Sequence, residues 1–285
     1  MAHDHTEIDF AEWLPMLVQE AELFAPVYRQ AAGWLREWQP EPELIADVGS
    51  GPGVISCLLA DAYPQARVVA VDGAAPLLEA ARSRAAERGI ADRFSTLEAE
   101  LADGIGELEY PADLLWSSRA LHHVGDQRAA LTEFARRLAP GGALALLEGG
   151  LPSRYLPRDI GIGRPGLQSR IDAVQEDWFS KMRAELPGSA AETEDWPALL
   201  TAAGLRHAAS RTFLLDLPAP VSDEARGWVV TTLTHRREGL ADGLDADDLA
   251  TLDRLLDPDD KASVHHRPDV FVLAALTVYV GVKPA

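Results

Sequence analysis

Asp47-Val48-Gly49-Ser50-Gly51-Pro52-Gly53 joins the apolar run Leu44-Ile45-Ala46 to a helical pattern through three glycines at alternate positions. Glycine tolerates positive φ and lets a ligand come close to the backbone, where the unpaired N–H groups of a helix start can meet it. The next apolar run, Val68-Val69-Ala70-Val71, ends in Asp72 and so places a carboxylate beside that turn. Asp72 lies 19 residues past Gly53 (72 − 53). That is near the spacing at which an acidic residue accepts the ribose hydroxyls in doubly wound folds. Strand, glycine turn, helix and acid-terminated strand together imply a bound nucleoside. A dinucleotide fingerprint needs glycine three positions after the second one, but that position holds Val54, and the pyrophosphate reading fails.

Alternating strand and helix patterns continue outward from the turn. Strands are read at Leu44–Val48, Arg67–Asp72, Phe94–Leu97, Asp113–Ser117 and Ala143–Glu148. Helices are read near Val54–Ala62, Pro76–Arg88 and Gln127–Leu138, the last stopped by Pro140-Gly141-Gly142. Trp196–Ala203 reads as a further helix, Arg211–Leu217 as a strand and Val270–Val282 as a long closing strand. The fold class is α/β, a doubly wound and mostly parallel sheet covered on both faces.

The pattern Asp-x-Gly-x-Gly-x-Gly, followed by a strand ending in an acid, resembles the class I S-adenosylmethionine-dependent methyltransferases, from about Glu43 to Glu148. The resemblance implies a seven-stranded Rossmann-like sheet with an antiparallel last strand and helical lid insertions. It puts Asp47, Gly49, Gly51 and Gly53 against the amino-acid part of S-adenosylmethionine, whose product is S-adenosylhomocysteine, and Asp72 on the ribose. In Thr96-Leu97-Glu98-Ala99-Glu100-Leu101, Glu100 best matches the family's acid for the adenine amino group, with Glu98 as the other register. Leu101 would contact the ring and Ser117 would touch the cofactor, while Trp13, Tyr28, Trp34 and Trp38 of the N-terminal segment, Tyr28 first among them, either cover its methionine end or simply pack that segment onto the sheet.

Trp116-Ser117-Ser118-Arg119-Ala120-Leu121-His122-His123-Val124-Gly125-Asp126 resembles the family's segment between cofactor and acceptor. Methyl transfer from a sulfonium is an in-line displacement that needs an aimed lone pair, excluded water and removal of any O–H or N–H proton. Histidine, with an unperturbed pKa of ~6.5, can take that proton. His122 is the first candidate base and His123 the second, against the alternative that the pair only fixes its loop. Acceptors already ionised at neutral pH, such as carboxylates, need orientation alone.

Tyr155, Arg158 and Arg164 fall in an insertion that also holds Arg154 and Arg170, a concentration of guanidinium that invites an acidic substrate. Ordinary salt bridging on a loop competes with that reading. His265 and His266, just before the closing strand, could reach the acceptor if the preceding segment folds over the site, or could lie on a surface loop. Neither histidine pair has a partner at a metal-ligand spacing, so no metal is expected.

These patterns divide the chain into an N-terminal helical cap (1–42), a cofactor-binding core (43–150), a lid insertion (151–192) and the completion of the core (193–285). The last carries a helical insertion at 218–267. With 285 residues, 47% of them hydrophobic, the chain can bury a large core. It has no run of the roughly 18 apolar residues that a membrane helix needs. The start, Met1-Ala2-His3-Asp4-His5, lacks a basic and apolar leader pattern, so a cytoplasmic protein is expected. Its single cysteine, Cys57, falls on the apolar face of the first helix after the turn and reads as core. A formal charge of −19 disfavours nucleic acid. The expected partner is a small-molecule acceptor of secondary or cofactor metabolism, methylated at oxygen or nitrogen, with carbon open, by a monomer or homodimer. Alternatives on the same fold are an enzyme that keeps the cofactor for a cyclisation or decarboxylation, and a silent activating subunit. Erosion of the glycine turn or of Asp72 would mark the silent subunit, and neither is eroded.

Overall fold

β1 (Leu44–Val48) is buried at all five positions, as a central strand covered on both faces must be. It occupies the middle of a seven-stranded sheet of order β3-β2-β1-β4-β5-β7-β6, formed with β2 (Arg67–Asp72), β3 (Phe94–Glu98), β4 (Ala112–Ser118), β5 (Leu138–Arg154), β6 (Arg206–Leu217) and β7 (Val272–Val282). β1 pairs in parallel with β2 and β4, β2 with β3, and β4 with β5. β7 runs antiparallel to both β5 and β6, which makes it the one reversed strand. The computed structural model describes residues 10–101, 105 and 108–285, so residues 1–9 of the expected cap lie outside the described residues.

Nine helices are described: α1 (Phe10–Leu23), α2 (Ala25–Leu35), α3 (Val54–Ala62), α4 (Ala75–Glu87), α5 (Gln127–Arg137), α6 (Leu167–Glu185), α7 (Trp196–Ala202), α8 (Asp223–Gly239) and α9 (Ala246–Leu256). Their starts follow local chemistry. Asp126, Asp195, Ser222 and Asp245 each accept a backbone N–H from the first turn of α5, α7, α8 and α9. α8 adds Asp223 and Glu224 at its start and Arg236 and Arg237 at its end, both favourable to the helix dipole.

Alternation along the central strands separates two apolar layers. Leu114 and Trp116 of β4 and Ala145 and Leu147 of β5 pack with Tyr28, Leu35, Leu59 and Trp228 on one face. Leu115, Leu144 and Leu146 pack with Phe134, Leu131 and Leu200 on the other. Cys57 is buried in the first layer, where burial pushes its thiol up to about 11, as befits a core residue.

β1 and β2 span the ranges read from the sequence, whereas β5 does not. Pro140-Gly141-Gly142 does not stop a helix. α5 ends at Arg137, Leu138 is already extended, and the Pro-Gly-Gly stretch forms an irregularity inside β5. Six residues of β5 from Leu138 to Ala143 face three of β4 from Ala112 to Leu114, and Gly141 at φ +77° absorbs the excess. β5 then continues past Glu148 to Arg154 because β7 supplies it with a partner along that length.

Candidate functional site

The carboxyl ends of β1, β2, β4 and β5 meet at one edge of the sheet, where open α/β folds bind ligands. Gly49, Gly51 and Gly53 adopt φ of +74°, +53° and +71°. A Cβ on Gly49 would lie 2.4 Å from Ala120 Cβ, and one on Gly53 2.5 Å from Ala81 Cβ, so both are needed for close packing. Gly51 differs, since a Cβ there would meet nothing within 4 Å. Its N–H donates to Asp72 Oδ2 at 2.8 Å, and Ala74 N–H donates to Asp72 Oδ1 at 3.0 Å. Burial raises the Asp72 pKa against these N–H donors, which lower it.

Asp47 lies beneath the turn, 1% exposed, and accepts Ser56 Oγ–H at 2.5 Å. Burial pushes its pKa up to about 7, with the Ser56 hydrogen bond opposing. Glu100 brings its carboxylate over Gly73, where a Cβ would meet Glu100 Oε1 at 2.8 Å, while Glu98 pairs with Asp72 across the strands. Leu101 sits above Gly49, 3.6 Å from where its Cβ would be. Ser117 pairs with Val48 at the start of the turn, and its hydroxyl is buried with no hydrogen-bond partner among the described residues.

Past β4 the chain enters a tight 3-10 turn at Leu121–His123. Glu148, at the carboxyl end of the central part of β5, organises that turn. Its Oε1 accepts the N–H groups of Ala120 at 3.1 Å and Leu121 at 2.9 Å, and its Oε2 lies 3.1 Å from His122 Nδ1. A carboxylate only accepts, so Nδ1 carries a proton, and in the neutral imidazole Nε2 is the atom left with a lone pair. The His123 ring lies tilted beside it, at 4.2 Å between ring centroids. Burial, and then neighbouring His122, bring the His123 pKa down to about 4, so it is neutral at physiological pH. α6 closes this side. Phe179 lies 5.6 Å from the His122 ring, and Arg183 donates to the carbonyls of His122 at 2.8 Å and Val124 at 2.5 Å.

On the other side, Tyr28 of α2 is buried and edge-on to Trp116 at 6.5 Å. Arg119 between β4 and the turn adopts φ +53°, the one positive φ outside glycine among the described residues, at a cost of roughly 1–2 kcal/mol. Its guanidinium meets Glu20 Oε1 of α1 at 2.6 Å.

The insertion's arginines are mostly engaged elsewhere. Arg164 pairs with Asp245 and, at 3.0 Å, Asp248; Arg170 pairs with Asp248 at 2.7 Å, and Arg154 with Asp172 at 2.8 Å. They tie α6 to α9 and to their own loop, which corrects the expectation that Arg164 offers itself to a substrate. Arg158 is exposed and lines a pocket with Leu156, Phe271 and Leu273. Tyr155 is fully buried, its hydroxyl taken by Arg236 at 3.1 Å, so burial rather than substrate contact explains it. His265 and His266 are exposed on the loop before β7. No group of three His, Cys, Asp or Glu side chains that could hold a metal occurs among the described residues.

Glu148, Arg119, Glu20 and Arg183 were not among the residues picked out from the sequence. Glu148 alone carried a signal, as an acid ending an apolar strand; the others depend on pairings between distant segments.

Residues 45–142 match the family model of the methyltransferase domain. The trans-aconitate 2-methyltransferase of Streptomyces coelicolor is 31% identical over 209 residues, which cover 72% of this chain and 63% of that protein. The tRNA 5-carboxymethoxyuridine methyltransferase of Escherichia coli K12 is 30% identical over 125 residues, 42% of this chain and 47% of that one. The chain thus spans less than two thirds of the length of either relative. Among solved structures, an O-methyltransferase family protein from Burkholderia thailandensis superposes with a TM-score of 0.57 at 14% identity, over 99% of this chain and 61% of that chain, a likeness of fold.

Proposed function

We propose that the chain is a class I S-adenosylmethionine-dependent methyltransferase that transfers a methyl group to oxygen or nitrogen of a small-molecule acceptor, a reading supported by the match of residues 45–142 to the methyltransferase domain. Two features fit the cofactor. The space before Gly51 is open, and the buried Ser117 hydroxyl beside the turn has no partner among the described residues. Gly51 and Asp72 would hold the amino-acid and ribose portions, and Glu100 and Leu101 the adenine. When bound, the cofactor supplies a methyl on a sulfonium that departs as a neutral thioether.

The chain's own residues do the rest. The observation that carries the reading is the His122–Glu148 pair at 3.1 Å, next to the glycine turn at the same sheet edge. Glu148 fixes the His122 tautomer, and Nε2 takes the acceptor's O–H or N–H proton as the new bond to the methyl carbon forms. α6, through Phe179 and Arg183, shields that histidine from water, and α1 with Tyr28 covers the opposite wall. A charge of −19 supports a small acceptor over nucleic acid. Incubation with methyl-labelled S-adenosylmethionine against a small-molecule panel and bulk tRNA tests this. Label is expected in a small acceptor and in none of the tRNA; label confined to tRNA would refute the acceptor class. Glu148→Gln should lower kcat about 10- to 100-fold on that acceptor while S-adenosylhomocysteine affinity, read by calorimetry, holds. An unchanged kcat would remove His122 from the chemistry.

A further inference from the structure

We propose that Arg119, with Tyr28, Ser118 and Trp116 beneath α1, forms a carboxylate-recognition subsite, and that the methyl acceptor is a small carboxylic acid oriented there. This rests on the methyltransferase reading and names its substrate class. Arg119 is held in left-handed backbone, its N–H fixed on Leu147 O at 2.9 Å, although arginine gains nothing locally from that conformation. Strain of this kind persists where the surrounding structure aims a side chain at a ligand. The Arg119 side chain is 42% exposed and already pairs with a carboxylate, Glu20 of α1, at 2.6 Å, the kind of group it would recognise in a ligand.

The remaining chemistry is an excess of donors. Trp116 Nε1 and Ser118 Oγ lie on the same face of β4, both at least nine-tenths buried, and neither has a hydrogen-bond partner among the described residues. Buried donors without acceptors are costly, and an anion beside a guanidinium is the ligand that satisfies them. The position also suits an acceptor. Arg119 is three residues before His122 and borders the turn that packs on Gly49 through Ala120, so a carboxylate held there leaves the rest of the molecule near His122 and the methyl donor's end. In a chain of charge −19, a local cation is what lets an acid bind. Glu20 occupies Arg119 until the acid displaces it.

Calorimetry on the full chain tests the proposal. With saturating S-adenosylhomocysteine, trans-aconitate, citrate, benzoate and hexanoate are titrated, with trimethyl trans-aconitate as the neutral control. At least one acid, and not the ester, should bind, and Arg119→Gln should weaken it about tenfold or more while S-adenosylhomocysteine affinity stays within about twofold. Glu20→Gln should tighten it about threefold, a gain that misfolding cannot produce. No binding by any of the four acids, or binding indifferent to Arg119→Gln, overturns the proposal. So does an Arg119→Gln protein that loses S-adenosylhomocysteine but keeps 5′-methylthioadenosine, which lacks the carboxylate, since Arg119 would then serve the cofactor. Wild-type protein that binds no S-adenosylhomocysteine strikes instead at the methyltransferase reading, and the proposal falls with it.

Discussion

Gly51 and Gly53 are separated by one residue and share a positive φ, but a methyl group added to each would have different consequences. At Gly53 it would collide with Ala81 at 2.5 Å, on the backbone side of α4, whereas at Gly51 it would enter open space. Gly53→Ala should therefore cost about 2 kcal/mol or more in urea unfolding, from φ strain plus displacement of α4. Gly51→Ala should cost only about 1–2 kcal/mol from φ, yet weaken S-adenosylhomocysteine about tenfold or more by filling the ligand's space. Equal unfolding costs with unchanged ligand affinity would contradict the division of labour. The turn was legible because glycine has few reasons to recur at alternate positions. Glu148 and Arg119 were not, because their roles arise from contacts across 27 and 99 positions, to Leu121 and Glu20, that no local pattern encodes.

At the scale of elements, the same divide between local and distant chemistry explains what was read and what was missed. β1 and β2 are mostly apolar stretches in the sheet centre, and their bounds follow from composition. β6 begins at Arg206, five residues ahead of the expected Arg211, because the polar and half-buried stretch Arg206–Ser210 is held by pairing with β7 rather than by its own hydrophobicity. Tertiary pairing overrides local propensity in such segments. α6 is likewise hydrogen-bonded to the histidine turn by Arg183, through the carbonyls of His122 and Val124. Arg183→Met should speed hydrogen exchange of the 121–125 amides by about tenfold, equivalent to about 1.4 kcal/mol of lost local protection, while leaving β1 and β4 unchanged. Uniform acceleration across the sheet, or none at the turn, would show that α6 does not order it.

For the whole molecule, acidity is both a constraint on partners and a source of pH dependence. Asp47 is 1% exposed and burial pushes its pKa to about 7 from an ordinary 3.8. A raised carboxyl pKa favours the protonated group in the fold. Its stabilising contribution is complete below 3.8 and is lost as pH rises through about 7. Asp47→Asn keeps an acceptor for Ser56 without the ionisable proton, so its Tm relative to wild type should rise between pH 5 and pH 8; a difference that does not vary with pH would contradict the burial argument. No helix among the described residues is long and apolar enough to cross a membrane. The central claim, that the glycine turn and Asp72 form an S-adenosylmethionine site, is met most directly by calorimetric titration of wild-type and Asp72→Ala protein with S-adenosylhomocysteine and NAD. Micromolar S-adenosylhomocysteine binding to wild type, weakened about 30-fold or more by Asp72→Ala and with no heat from NAD, is the outcome the account predicts. Binding of NAD, or S-adenosylhomocysteine binding indifferent to Asp72, would contradict it.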